Sequence, residues 1–131
     1  LCGIYIDNNT NIDYVTSEIK NMKCEIINYD KENFYALTMK DYILTNLKRN
    51  TTLKKIRQSL IMVGITDKDI EYDPLKLTDS EKYKLLIASA LINNPSVLVL
   101  CFPNIYIDDN NMKSLLQLLK KLIKELTFIR K

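Results

Sequence analysis

Residues 76–108, KLTDSEKYKLLIASALINNPSVLVLCFPNIYID, hold the junction that decides the fold. Thr78 followed three residues later by Glu81 forms an S/T-x-x-E box, in which hydroxyl and carboxylate each serve a backbone N–H at a helix start. Leu85, Ala88, Leu91 and Ile92 then recur at helical spacing, and Asn94-Pro95 stops the helix. After Ser96, the VLVL of SVLVL (96–100) is continuously apolar instead of alternating, the pattern of a strand buried on both faces.

Working outward, LCGIYI (1–6) reads as a short strand running into a turn. NIDYVTSEIKNM (11–22) sets Ile12, Val15, Ile19 and Met22 on one helical face, and CEIINY (24–29) has the β-branched content of a buried strand. Thr38 and Asp41 mark a helix start, with Tyr42, Ile43 and Leu47 on its apolar side. A second helix is expected over about 52–62, with Leu53, Ile56 and Leu60 inward and Gly64 ending it. Residues 65–76 read as a polar connecting loop. NNMKSLLQLLKKLIKEL (110–126) predicts a long helix with Leu115, Leu116, Leu119, Leu122, Ile123 and Leu126 on its apolar stripe. A last strand is possible at Thr127–Ile129. This order predicts an α/β sheet carrying a helical insertion. Residues 1–131 are expected to form one domain or part of one, with 1–35 and 77–131 as the core and about 36–76 as the helical part.

Composition narrows the classes of function. A hydrophobic fraction of 47% is enough for a real core, and a net charge of +3 is too balanced to argue for nucleic acid. Cys2, Cys24 and Cys101 are widely spaced, and with no CxxC pair and no His they do not describe a zinc site. They read as reduced thiols packed as small hydrophobes. No run reaches the ~18 apolar residues of a membrane span, so direct insertion into a bilayer is not expected. Leu1 rather than Met opens the chain, so a piece of a longer protein is expected.

The 76–108 stretch resembles the ATP-binding-cassette (ABC) ATPase domain. In that family a signature loop of the type LSGGE opens a helix reading roughly KQRLALARALLNNP. A hydrophobic strand ending DEPT follows, and then LD. Leu77, Glu81, Lys82, Leu85, Ile87, Ala88, Ala90, Leu91, Asn93, Asn94, Pro95, Pro103 and Asp108 fall at matching places without a gap. ALTMKDYIL (36–44) is similar to the family phrase LTVRDYL, although no Gln precedes it and Glu32 lies nearest the expected place. The resemblance implies a P-loop NTPase-like three-layer core with a helical insertion subdomain. The short segment from Thr10 to Leu37 implies a reduced β subdomain.

Against that family pattern, GIYIDNNT (3–10) stands where a phosphate loop G-x-x-x-x-G-K-[ST] is expected. Gly3 and Thr10 have the right separation, but Asn8 replaces the second glycine and Asn9 the lysine. The strand ends in Cys101 and Phe102, where the resemblance implies an Asp supporting Mg²⁺ and a Glu activating water. A thiol is a poor ligand for Mg²⁺, and a phenyl ring cannot accept a proton. In the signature-type loop Thr78-Asp79-Ser80-Glu81 the two family glycines are missing, and a plain helix cap already accounts for Thr78 and Glu81. Asp108 stands at the family's D-loop position, and the switch histidine is absent because the chain has no His.

The residues therefore predict an ATPase-type fold unable to hydrolyse ATP, with MgATP, the cofactor of intact relatives, not held tightly. The resemblance implies a cytoplasmic structural or regulatory partner of an intact ABC-type ATPase subunit or of a transporter membrane subunit. It would reach a membrane only through such a subunit. The alternative is an ABC-like protein-interaction scaffold in a non-transport assembly. Lys48, Arg49, Lys54, Lys55 and Arg57 on the helical insertion are a candidate contact surface, although a solvated face explains them better.

Overall fold

The computed structural model describes residues 2–6, 23–29, 34, 38–47, 50–101, 108–122 and 125–129. Four strands, β1 (Cys2–Ile6), β2 (Cys24–Ile27), β3 (Val97–Cys101) and β4 (Glu125–Ile129), make one sheet in the order β2-β3-β1-β4. Every pairing among them is parallel, with Cys2 opposite both Val97 and Glu125 and Cys24 opposite Val97. The helices are α1 (Met39–Thr45), α2 (Leu53–Met62), α3 (Asp79–Ile92) and α4 (Asp109–Leu122), with a short 3₁₀ turn at Pro74–Lys76.

The unbroken apolar run in β3 has a direct structural cause. All five of its residues are buried, and it lies between β2 and β1. Leu98 and Leu100 join one core with Ile27, Leu115, Leu119 and the buried residues of α3. Val97, Val99 and Cys101 alternate to the opposite face and are buried as well. Chain direction explains why α3 and α4 touch. The β2→β3 and β3→β4 connections run the same way along the sheet, so right-handed crossovers put both helices on one face.

Helix α3 begins polar, with Asp79 exposed and Glu81, Lys82 and Lys84 half-buried, and becomes covered on all sides only from Leu85 onward. It packs against β2 and α4 and also against α1 and α2. Residues 85–90, Leu-Leu-Ile-Ala-Ser-Ala, are buried without interruption. Its start is the expected capping box. The Glu81 N–H donates to Thr78 Oγ1 at 3.2 Å, and the Thr78 N–H donates to Glu81 Oε1 at 3.1 Å. Its end is turned by Asn94, held at φ 52° just before Pro95.

Several expectations are corrected by the structure. Leu53 shares the angular side of Ile56 and Leu60 but is the first residue of α2, and at that end of the helix it is 47% exposed. Residues 65–76 are more than a polar connector. Ile65, Ile70 and Pro74 are buried, and the Met39 and Lys40 N–H groups donate to the Tyr72 and Ile70 carbonyls at 2.9 Å. The second strand stops at Ile27, not Tyr29. The last helix ends at Leu122, so Leu126 belongs to β4, which starts two residues earlier than the expected Thr127. The helix expected over 11–22 lies outside the described residues.

Gly64 is required where it stands. Its φ is +85°, its N–H donates to the Ile61 carbonyl at 3.0 Å, and the Ile65 N–H donates to the Leu60 carbonyl at 2.9 Å. This paired closure, with Leu60 and Ile65 both buried, is a Schellman motif. A Cβ at Gly64 would meet nothing within 4 Å, so the penalty of a side chain there is purely conformational. Gly64→Ala is expected to lower the unfolding free energy by about 1–2 kcal/mol in urea titration. An unchanged midpoint would contradict this account of the helix end.

Candidate functional site

The chain leaves β1 toward β2 and leaves β3 in the opposite direction toward β4. Parallel sheets of this kind bind ligands in the crevice outside the carboxyl ends of the two strands where direction reverses. Ile6 and Cys101 are paired there. Gly3 lies inside β1, opposite Leu98 and Leu126, so the loop that leaves this edge begins only after Ile6. Asn8, Asn9 and Thr10, together with Phe102 and Pro103, lie outside the described residues.

At the β3 end the chemistry is that of a core. Cys101 is buried at 7% exposure, and its carbonyl accepts the Tyr83 hydroxyl at 3.2 Å. Tyr83 is fully buried and stacks on Tyr29, with ring centroids 6.5 Å apart and planes 14° from parallel. The Tyr29 hydroxyl donates to Asp79 Oδ1 at 2.8 Å. Magnesium requires hard oxygen ligands in near-octahedral array. The Cys101 side chain offers a buried, soft thiol in place of a hard oxygen. The described strand end therefore does not fit the Mg²⁺ of MgATP.

The signature-type residues are mostly committed to the helix start. Glu81 uses Oε1 in the capping box and Oε2 on Lys68 Nζ at 2.7 Å. Ser80 is buried at 7% exposure, and Thr78 supplies the cap. Partial burial alone would push the Glu81 carboxyl upward, but the Lys68 hydrogen bond and the Thr78 N–H outweigh it and hold the group below its ordinary range. Lys68 is held above its ordinary range, first by Glu81 and then by its bond to Asp67. Its ammonium also lies 5.5 Å from the Tyr72 ring centroid. Asp79 is exposed, and its Oδ1 accepts the Tyr29 hydroxyl.

Asp108 serves the start of α4. Its Oδ1 accepts the Asn111 backbone N–H at 2.8 Å, and its Oδ2 accepts Asn111 Nδ2 at 2.9 Å. This is N-capping geometry. Lys54, Lys55 and Arg57 are exposed on α2, whereas Lys48, Arg49 and Glu32 lie outside the described residues. Sequence reasoning passed over Tyr29 and Tyr83. The available signal was a tyrosine inside an apolar helix, which needs a hydrogen-bond acceptor once buried.

The chain is 39% identical over 80 residues to a methionine import ATP-binding protein of Oceanobacillus iheyensis, covering 61% of this chain and 22% of that protein. It is 35% identical over 102 residues to a protein of Pyrococcus horikoshii assigned as an ABC transporter ATP-binding protein, covering 75% and 36%. This chain is a homologue of ABC transporter ATP-binding domains. No family model matches it. It superposes on a transporter assigned to the metal-chelate ABC type, in an inward-facing conformation, with TM-score 0.73 at 13% identity, covering 98% of this chain and 62% of that one. On a bacterial ABC transporter cassette solved as a dimer the TM-score is 0.65 at 16% identity, covering 98% and 74%. The fold is thus that of the P-loop ATPase cassette in reduced form, and the chain spans well under half the length of the curated relatives it matches. Among the described residues no helix is long and apolar enough to cross a membrane.

The Glu81 network sets an acid-side stability slope. Its folded-state pKa lies below the ordinary 4.5, so its contribution is fully present above that pH and is lost as pH falls through the folded value. Urea midpoints measured from pH 6 down to about pH 3 should fall less steeply in Glu81→Gln than in the parent chain. Equal slopes would show that the carboxylate is not held by Lys68 and Thr78.

Proposed function

We propose that this chain is a catalytically silent ABC-type ATP-binding domain. Its role is that of structural or regulatory partner to an intact ATPase subunit of an ABC transporter. The observation that carries the reading is the apolar, buried end of β3, where the Cys101 thiol occupies the place of the metal-supporting carboxylate and its carbonyl is held by Tyr83. Phosphoryl transfer depends almost entirely on positioning and on charge stabilisation by metal and cationic groups. A strand end without a hard metal ligand, and Asn9 in place of the phosphate-loop lysine, remove those contributions. Loss of a general base, as Phe102 implies, would alone cost about 10²–10⁴-fold.

Partnership follows from the same reading. A domain that keeps the sheet, the capped α3 and the helical part, yet lacks the chemistry, is of use where a second cassette supplies the hydrolysis. One of the similar structures is a cassette dimer. In this proposal the chain is cytoplasmic and peripheral, and any membrane association runs through a transporter subunit.

The test is the composition and turnover of the native complex. Isolation under mild conditions is expected to yield an intact ATPase chain bound to this one. Removing the catalytic carboxylate of that partner should abolish all turnover, whereas Cys101→Ser here should leave it unchanged. Hydrolysis by the purified chain alone would overturn the proposal, as would a native complex without an intact ATPase chain.

A further inference from the structure

The ring stack beneath Asp79 extends further than one pair. Tyr83 faces Tyr29, Tyr29 meets Phe34 with centroids 5.9 Å apart, and Phe34 stacks on Tyr42 at 5.2 Å and 17°. These rings come from α3, from the residues after β2 and from α1, and the Tyr83 hydroxyl joins them to the last residue of β3. Tyr83, Phe34 and Tyr42 are buried, whereas Tyr29 is only half-buried and Asp79 is exposed. Lys82 Nζ lies 5.6 Å from the Phe34 ring centroid, so the first turn of α3 touches the stack at a second point.

The start of α3 is therefore held in three ways. The capping box is internal to the helix, and the Lys68–Glu81 bridge joins it to the 65–70 segment. The Tyr29–Asp79 hydrogen bond ties it to the carboxyl edge of the sheet. This third tie differs from the Tyr83 bond to Cys101 in one physical respect. Tyr83 and the Cys101 carbonyl are buried, whereas Tyr29 and Asp79 both lie where water can replace the partner.

We propose that Tyr29 and Asp79 form a latch. A rigid buried pivot, Tyr83 on the Cys101 carbonyl, carries a solvent-accessible hydrogen bond that opens and closes. When closed it fixes the first turn of α3, residues 79–82, against the carboxyl edge of the sheet. When open it loosens that turn, which stays on the capping box and the Lys68 bridge, while the buried stack remains in place. The latch rests on these contacts alone and does not depend on whether the domain hydrolyses ATP.

Amide hydrogen exchange on the purified chain tests it. In Tyr29→Phe, which keeps the ring stack and removes the hydroxyl, exchange at Lys82 and Tyr83 is expected to rise about fivefold, the effect of one net hydrogen bond. Exchange at Ser59 and Leu60 in α2 should not change. Asp79→Ala also loses a favourable charge at the helix N-terminus, so its own effect is larger. The pair must therefore be coupled, and adding Tyr29→Phe to Asp79→Ala should produce no further rise. Unchanged exchange in Tyr29→Phe would overturn the latch. So would an equal rise in α2, which indicates general loosening, or additive effects of the two substitutions.

Discussion

The structure depends on the burial of β3 on both faces between two parallel neighbours. A strand in that position cannot alternate apolar and polar residues, and its flanking connections must cross the sheet instead of turning back. Those crossovers put α3 and α4 on the same face, where Leu98 and Leu100 meet Leu115 and Leu119. Helix α3 then becomes the shared wall between the sheet and the helical part of the chain. Its consecutive buried residues, 85–90, mark the stretch where neighbours cover the helix all round, between part-exposed residues on either side.

The same burial controls what the strand end can do. In a cassette that handles Mg²⁺, the last residue of this strand must bring a charge to the crevice. Here it brings a thiol at 7% exposure and a carbonyl already engaged by Tyr83. Around it, Thr78, Ser80, Glu81 and Asp108 are each occupied by capping or packing. In the proposed reading, these positions of an ATPase site are filled with contacts that stabilise the domain itself.

What was legible in the sequence follows from how local each signal is. The capping box, the Gly64 closure and the Asn94-Pro95 stop are set by residues three to five positions apart, and all three stand where the sequence puts them. The β3 run was legible because burial on both faces leaves an unmistakable pattern. The exposure of Leu53 and the burial of Ile65 and Ile70 were not, since both depend on which neighbour covers α2. The boundary between α4 and β4 was missed because Leu126 satisfies a helical stripe and a strand equally well. At the site, Cys101 and Phe102 at the end of the apolar run were readable at once. The Tyr29–Asp79 contact spans 50 positions and joins residues that no spacing rule connects.

Calorimetric titration of the purified chain with ATP, with and without Mg²⁺, tests the central claim most directly. A strand end without a hard ligand predicts no saturable, Mg²⁺-dependent heat at nucleotide concentrations up to about 1 mM. A dissociation constant well below that value, tightened by Mg²⁺ and weakened by its chelation, would contradict it.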